Sequence, residues 1–204
     1  METVERIAHS LERIGKEIEK SAELPKSQSE KIEKLLEILL KAWENNKKVF
    51  FLGTGISGNM GGKFAIRLSH MGFNVFVMIK DTVVRSTENG DIVIAVSGSG
   101  ETDTVESKIR KIRKKNIQAI VIVFTADPKS MIARLGDLVI QLPGIEDSDS
   151  KTKKLPKETE KEPPLFVLGT LFEICVAALF DALVPELMRL TETTEEDMKK
   201  RHET

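Results

Sequence analysis

Val93-Ile94-Ala95-Val96-Ser97-Gly98-Ser99-Gly100-Glu101-Thr102 is the stretch that decides the fold of this chain. Ile92–Val96 is an unbroken apolar run rich in β-branched residues, of the kind buried on both faces of a parallel sheet. It stops at serines alternating with glycines. From Thr104 the period becomes helical, with Val105, Ile109 and Ile112 on one face and Lys108, Arg110, Lys111 and Arg113 on the others. A turn rich in hydroxyls and glycine therefore joins the carboxyl end of a strand to the N-terminus of a helix, where unpaired backbone N–H groups and the positive dipole end favour an anion. Gly98 and Gly100 allow close backbone approach, and Ser97, Ser99 and Thr102 offer O–H groups to phosphate oxygens. An N-capped turn needs one such hydroxyl. Three of them among two glycines predict a phosphate cradle.

The same alternation extends to both sides. Lys48–Leu52, Asn74–Ile79, Asp91–Val96, Gln118–Phe124 and Leu138–Leu142 read as strands. A helix runs to His70, another follows Thr104, and a short one opens at Asp127-Pro128 and ends at Leu135. This pattern predicts an α/β fold, a doubly wound five-stranded parallel sheet with helices on both faces and ligands beyond the carboxyl ends of its strands. Ahead of it, Val4, Ile7, Leu11, Ile14 and Ile18 keep helical spacing, as do Ile32, Leu35, Leu36, Leu39, Leu40 and Trp43. They predict an N-terminal helical hairpin, broken at Pro25 with Ser27 as the next cap, that packs on the sheet or on a second subunit. Trp43 is expected to pack and His9 to lie at the surface.

A chain of 204 residues with 40% hydrophobic and 31% charged residues suits one soluble domain. We divide it into N-terminal helices at 1–46, a β/α core at 47–145, a charged surface loop at 146–162 and C-terminal helices at 163–204. A net charge of -1 supplies no basic face for nucleic acid. The lone Cys175 excludes an internal disulfide and suits a reducing compartment. Met1–Lys20 is charged throughout and lacks the apolar core of a signal peptide, so a cytoplasmic location is expected.

A second glycine turn follows the first strand. Gly53-Thr54-Gly55-Ile56-Ser57-Gly58 fits G-x-G-x-x-G, and Asp81 after the second strand keeps a dinucleotide site open. Two adjacent phosphate-type turns without a separate substrate domain point instead to a small phosphorylated ligand. Ser57 is placed to cap the helix that runs to His70, and Gly61-Gly62 inside that helix imply close backbone approach. His70 suits a helix C-terminus.

Leu165–Leu183 is apolar around its circumference apart from Glu173 and Asp181. The two acids argue for a helix buried in an oligomer rather than a membrane span. A lone glutamate on such a helix has either a structural partner or a pKa raised by burial for use as a base. Cys175 reads as a small core residue. Thr194 caps a last helix with Glu195, Glu196 and Asp197 in its first turn and Lys199-Lys200-Arg201-His202 at its end.

Several of these elements together resemble the sugar isomerase (SIS) domain, and within it the 6-phospho-3-hexuloisomerases of archaea and methylotrophs. They are Gly-x-Gly-x-Ser-Gly at 53–58, Phe64-Ala65-x-Arg67-Leu68-x-His70-x-Gly72-Phe73, Ser97-Gly98-Ser99-Gly100-Glu101-Thr102, Leu168-Gly169-Thr170-Leu171-Phe172-Glu173 and Arg201-His202. The resemblance covers nearly the whole chain, in order. It implies a SIS-type, flavodoxin-like sandwich. It also implies interconversion of 3-hexulose 6-phosphate and fructose 6-phosphate through an enediol, without metal or cofactor. Ser57, Ser97, Ser99 and Thr102 would hold the phosphate; Glu173 would shuttle the proton, assisted by His202 of a neighbouring subunit in a homo-oligomer, with a tetramer favoured. Gly55, Gly98, Glu101 and Arg85 are further candidate substrate contacts. The chain departs from the family in Ile56, where arginine is usual, in Val83-Val84-Arg85, where a Thr-Pro segment is usual, and in Thr204, where asparagine is usual. Arg85 is the candidate replacement for the missing arginine.

Overall fold

Strands β1 (Lys48–Leu52), β2 (Asn74–Val77), β3 (Ile92–Val96), β4 (Ile120–Thr125) and β5 (Leu138–Gln141) are short apolar runs that pair in parallel, in the order β2-β1-β3-β4-β5. The computed structural model describes residues 3–78, 86–115, 117–144 and 168–202; Asp81, Arg85, Thr204 and the 146–162 segment lie outside them. Phe50 pairs with Val93, and Val93 with Val121, so neighbouring strands point like residues to the same side. Val49, Phe51, Ile92, Ile94, Ile122 and Phe124 face a core shared with α3 (Ser29–Glu44), α4 (Gly55–His70) and α6 (Thr170–Leu190). Phe50, Leu52, Val93, Ala95, Val121 and Val123 face the other core, under α5 (Asp103–Lys114). Both faces of the central strands are therefore dry, which is why those strands read as continuous apolar runs.

The strand order reverses between β1 and β3, because the chain leaves β1 toward β2 and later returns to the other side of β1. The crevice beyond the carboxyl ends of these two strands is where a doubly wound sheet binds ligands. Both glycine turns open there.

Several details differ from the sequence reading. The residues after Asp127-Pro128 make turns and a single 3-10 turn at Ala133–Leu135 rather than an α-helix. Asp127 accepts the Lys129 N–H at 2.8 Å, an Asx turn that competes with helix initiation. Ser27 does not cap α3; it ends a short helix, α2 (Leu24–Ser27), and Gln28 precedes α3 without a side-chain cap. The first helix, α1 (Thr3–Ser21), buries none of its residues; it packs against α6, and Val4, Ile7 and Leu11 stay exposed. Helix α6 starts at Thr170, after the left-handed Leu168 and Gly169, and continues through Pro185 to Leu190. Phe172, Cys175, Val176, Leu179, Phe180, Leu183 and Leu187 are buried on its core side and α1 packs against it, while Ile174, Ala177 and Ala178 stay partly exposed. Among the described residues no helix is long and apolar enough to cross a membrane.

One buried acid ties the amino ends of the strands together. Asp91, 2% exposed, accepts the Lys48 N–H at 3.0 Å and the Glu88 N–H at 2.8 Å. The Lys48 ammonium lies 3.6 Å from Asp91 and 2.8 Å from Glu88. Truncating Asp91 leaves two backbone donors and part of a cation without partners. Asp91→Ala is expected to cost about 2–4 kcal/mol, read as a lower urea midpoint at unchanged slope.

Candidate functional site

The turn after β3 is built from both directions. The Ser97 hydroxyl is buried and lies 2.9 Å from that of Thr102. Thr102 is the residue before α5, yet its side chain does not cap the helix. Its hydroxyl is committed across the turn, which answers the capping alternative. Ser99 is exposed and accepts the Glu101 N–H at 3.3 Å; Glu101 is exposed beside it. Gly100 sits at φ +65, where a Cβ would lie 1.9 Å from Ser130 Oγ. Only glycine fits there.

Residues that the sequence reading did not single out fix this turn from behind. The Thr125 hydroxyl, fully buried at the end of β4, donates to the Gly98 carbonyl at 3.2 Å. The Ala126 N–H bonds the same carbonyl at 3.0 Å, and the Ile132 N–H bonds the Gly100 carbonyl at 3.0 Å. The available signal was a threonine at a strand's carboxyl end, the edge where doubly wound sheets keep their sites.

The first glycine turn is closed by backbone packing. A Cβ on Gly53 would lie 2.6 Å from Gly58 Cα, so the outer glycines of the G-x-G-x-x-G string bring strand and helix together with no dinucleotide required. Gly55 is left-handed at φ +57 and opens α4. Thr54 occupies the capping position without a side-chain cap bond, and Ser57 is the third residue of the helix rather than its cap. Gly61 rests on Val96 and Phe51, whereas Gly62 meets nothing within 4 Å. Ile56, 56% exposed, stands at the mouth of the turn.

Helices α4 and α6 run side by side in register. Phe64 stacks on Phe180 with ring centroids 4.5 Å apart, and Lys63 pairs with Asp181. Two turns back along both helices stand Ser57 and Glu173. Glu173 is partly buried; burial pushes its pKa above the ordinary glutamate range, and the neighbouring Ser57 hydroxyl offsets part of that rise. The preceding residue, Phe172, lays its ring on Gly98, where a Cβ would lie 3.1 Å from its Cδ1. The carboxylate thus belongs to the same end of the sheet as the two turns. It is neither turned into bulk water nor paired with a cation among the described residues.

His202 is elsewhere in this chain. At the end of α7 (Glu195–His202) its Nδ1 lies 3.3 Å from Nε2 of His70, and Arg201 donates to the His70 carbonyl at 3.0 Å. His70 and Ser57 are at opposite ends of α4, about 20 Å apart at 1.5 Å rise per residue. Thr194 and Asp197 form the expected capping box, with the Asp197 N–H donating to Thr194 Oγ1 at 3.1 Å. A groove of about 410 Å³, lined by Lys34, Ile38, Lys41, Lys47 and Leu138, opens at the amino ends of the strands and is remote from both turns.

Residues 44–155 match the SIS domain family. The 3-hexulose-6-phosphate isomerase of Bacillus subtilis is 32% identical over 160 residues, 78% of this chain and 80% of that protein. The 3-hexulose-6-phosphate isomerase of Methanocaldococcus jannaschii is 31% identical over 172 residues, 84% and 82% of the two chains. A crystal structure from Methanococcus jannaschii, from which a molecular function of 3-hexulose-6-phosphate isomerase was inferred, superposes with a TM-score of 0.73 at 28% identity, covering 95% of this chain and 97% of that one.

Proposed function

We propose a specific reaction for this chain, which belongs to the SIS domain family of sugar-phosphate isomerases: the interconversion of 3-hexulose 6-phosphate and fructose 6-phosphate. One observation carries the reading. A glutamate whose proton affinity is raised by burial lies against the end of the sheet where two hydroxyl-bearing glycine turns converge. An isomerase of this type needs an anion grip and, within a sugar's length of it, a base.

In the proposed chemistry the phosphoryl group sits between the Ser97–Thr102 turn and the start of α4, held by the hydroxyls of Ser57, Ser97, Ser99 and Thr102 and by helix-terminal N–H groups. Glu173 removes the C3 proton of fructose 6-phosphate, electrons move into a C2–C3 enediolate, the C3 hydroxyl proton passes to the C2 oxygen, and the same carboxyl group returns a proton to C2 as the C3 oxygen becomes the carbonyl. His202, remote from Glu173 in its own chain, would serve only from a second copy.

The test is to hold the protein with fructose 6-phosphate in heavy water. Proton NMR should show loss of the C3–H signal and a deuterium-bearing C2 in the ketose product. Saturable binding without exchange would make the chain a phosphosugar sensor instead, a role for which the exposed Ile56 in the first turn is the supporting feature. A further result is expected from Ser97→Ala. Loss of one hydroxyl on a charged phosphate should raise KM roughly ten- to a hundredfold while changing kcat less, as seen by initial-rate kinetics.

A further inference from the structure

A trans peptide is planar, and the carbonyl of one residue points opposite to the N–H of the next. Where a carbonyl is tied down, the direction of the following N–H is therefore set. The Gly98 carbonyl is tied twice by the end of β4, to the Ala126 N–H at 3.0 Å and to the Thr125 hydroxyl at 3.2 Å. Strand β3 lies between β4 and β1, so a carbonyl drawn toward β4 turns the Ser99 N–H the other way, toward β1 and the crevice between the two glycine turns. That N–H has no acceptor among the described residues. The Gly100 carbonyl is likewise held by the Ile132 N–H at 3.0 Å, which turns the Glu101 N–H away from Ile132 and onto the Ser99 hydroxyl, a long bond of 3.3 Å.

We propose that Thr125 is a positioning residue: from behind the turn, its hydroxyl sets the Gly98–Ser99 peptide so that the Ser99 N–H faces the substrate's phosphoryl group. This rests on the reading above of where the phosphate lies. Thr125 is fully buried, and its hydroxyl carries one hydrogen. Two carbonyls lie within reach, Gly98 at 3.2 Å and Asp127 at 3.5 Å, and the nearer one takes it. The hydroxyl oxygen accepts the Asp127 N–H at 3.2 Å, which holds the side chain from its other side. It also stands against Gly100, where a Cβ would lie 3.0 Å from it, so one side chain backs both glycines of the turn. An N–H aimed before the anion arrives costs no ordering when it binds, whereas one free to swing does.

The experiment compares the full chain as wild type, Thr125→Val and Thr125→Ser, with sulfate as the probe. Valine keeps the shape of the side chain and loses the hydroxyl; serine keeps the hydroxyl. Calorimetry should show sulfate bound about tenfold more weakly by Thr125→Val, and within about twofold of wild type by Thr125→Ser. In nitrogen–proton NMR spectra the wild-type Ser99 amide proton should move downfield as sulfate binds, and should move less in Thr125→Val. A general loss of stability would lower the urea midpoint without singling out that amide. Unchanged sulfate affinity in a folded Thr125→Val overturns the proposal and leaves the phosphate site standing. Should Thr125→Val fail to fold, the wild-type spectrum decides: a Ser99 amide unmoved at saturating sulfate overturns the proposal, and a downfield shift retained in Thr125→Ser supports it. Failure of the wild type to bind sulfate overturns the phosphate site and the proposal together.

Discussion

Glu173→Gln is expected to lower exchange of the C3 proton of fructose 6-phosphate by about a thousandfold or more, the upper part of the range for loss of a general base. Glutamine keeps the shape of the side chain, so KM should change little and the loss should fall on kcat. Exchange within tenfold of wild type would remove Glu173 from the mechanism. The same substitution has a stability signature. The pKa of Glu173 is raised in the folded chain, chiefly by burial. Between the ordinary glutamate value and that raised value the folded state therefore binds more protons than the unfolded one. Wild-type stability falls as pH rises through this window, and it is fully restored below the ordinary value. Glu173→Gln lacks that slope, so urea midpoints of the two proteins should converge in acid and separate in favour of the variant toward neutral pH. The acid limb of the wild-type kcat/KM profile should lie above the ordinary glutamate range for the same reason.

Gly100→Ala is expected to be the most damaging single methyl in the chain. At φ +65 an alanine is strained by about 1–2 kcal/mol, and its Cβ would overlap Ser130 Oγ at 1.9 Å and Ser130 Cβ at 2.4 Å. Ser130 is buried, and Ile132 beside it bonds the Gly100 carbonyl, so relief requires the turn itself to move. Overpacking of this kind adds about 1–3 kcal/mol, for a total of about 2–5 kcal/mol in urea unfolding, with loss of sulfate binding. The double variant with Ser130→Gly should recover the overlap part and leave the backbone part. A Gly100→Ala protein with wild-type stability and sulfate affinity would show that this turn is not a rigid cradle.

Much of the fold was legible because it is written locally. Ile92–Val96 and Ile120–Phe124 advertise strands buried on both faces, and the glycines at 53, 58, 98 and 100 mark turns that side chains would block. Where local signals competed, the reading slipped. Proline after Asp127 fits a helix start equally well as the Asx turn that forms, and Ser57 fits a cap equally well as the third residue of α4. Thr125 left no mark in the sequence beyond its place at a strand's end.

The order of residues alone pointed to a parallel sheet that ends in two hydroxyl-bearing glycine turns, since hydrophobic period and glycine geometry act between near neighbours. It also showed an acid at position 173 in an apolar helix, while leaving open whether that acid is propped by a partner or kept for chemistry. Tertiary packing decided the matter of place. The stacking of Phe64 on Phe180 sets α4 and α6 in register, and that register delivers Glu173 to Ser57 from the far end of the chain. Contacts between residues so distant depend on how two helices lie on one sheet, and no periodicity in the sequence specifies it.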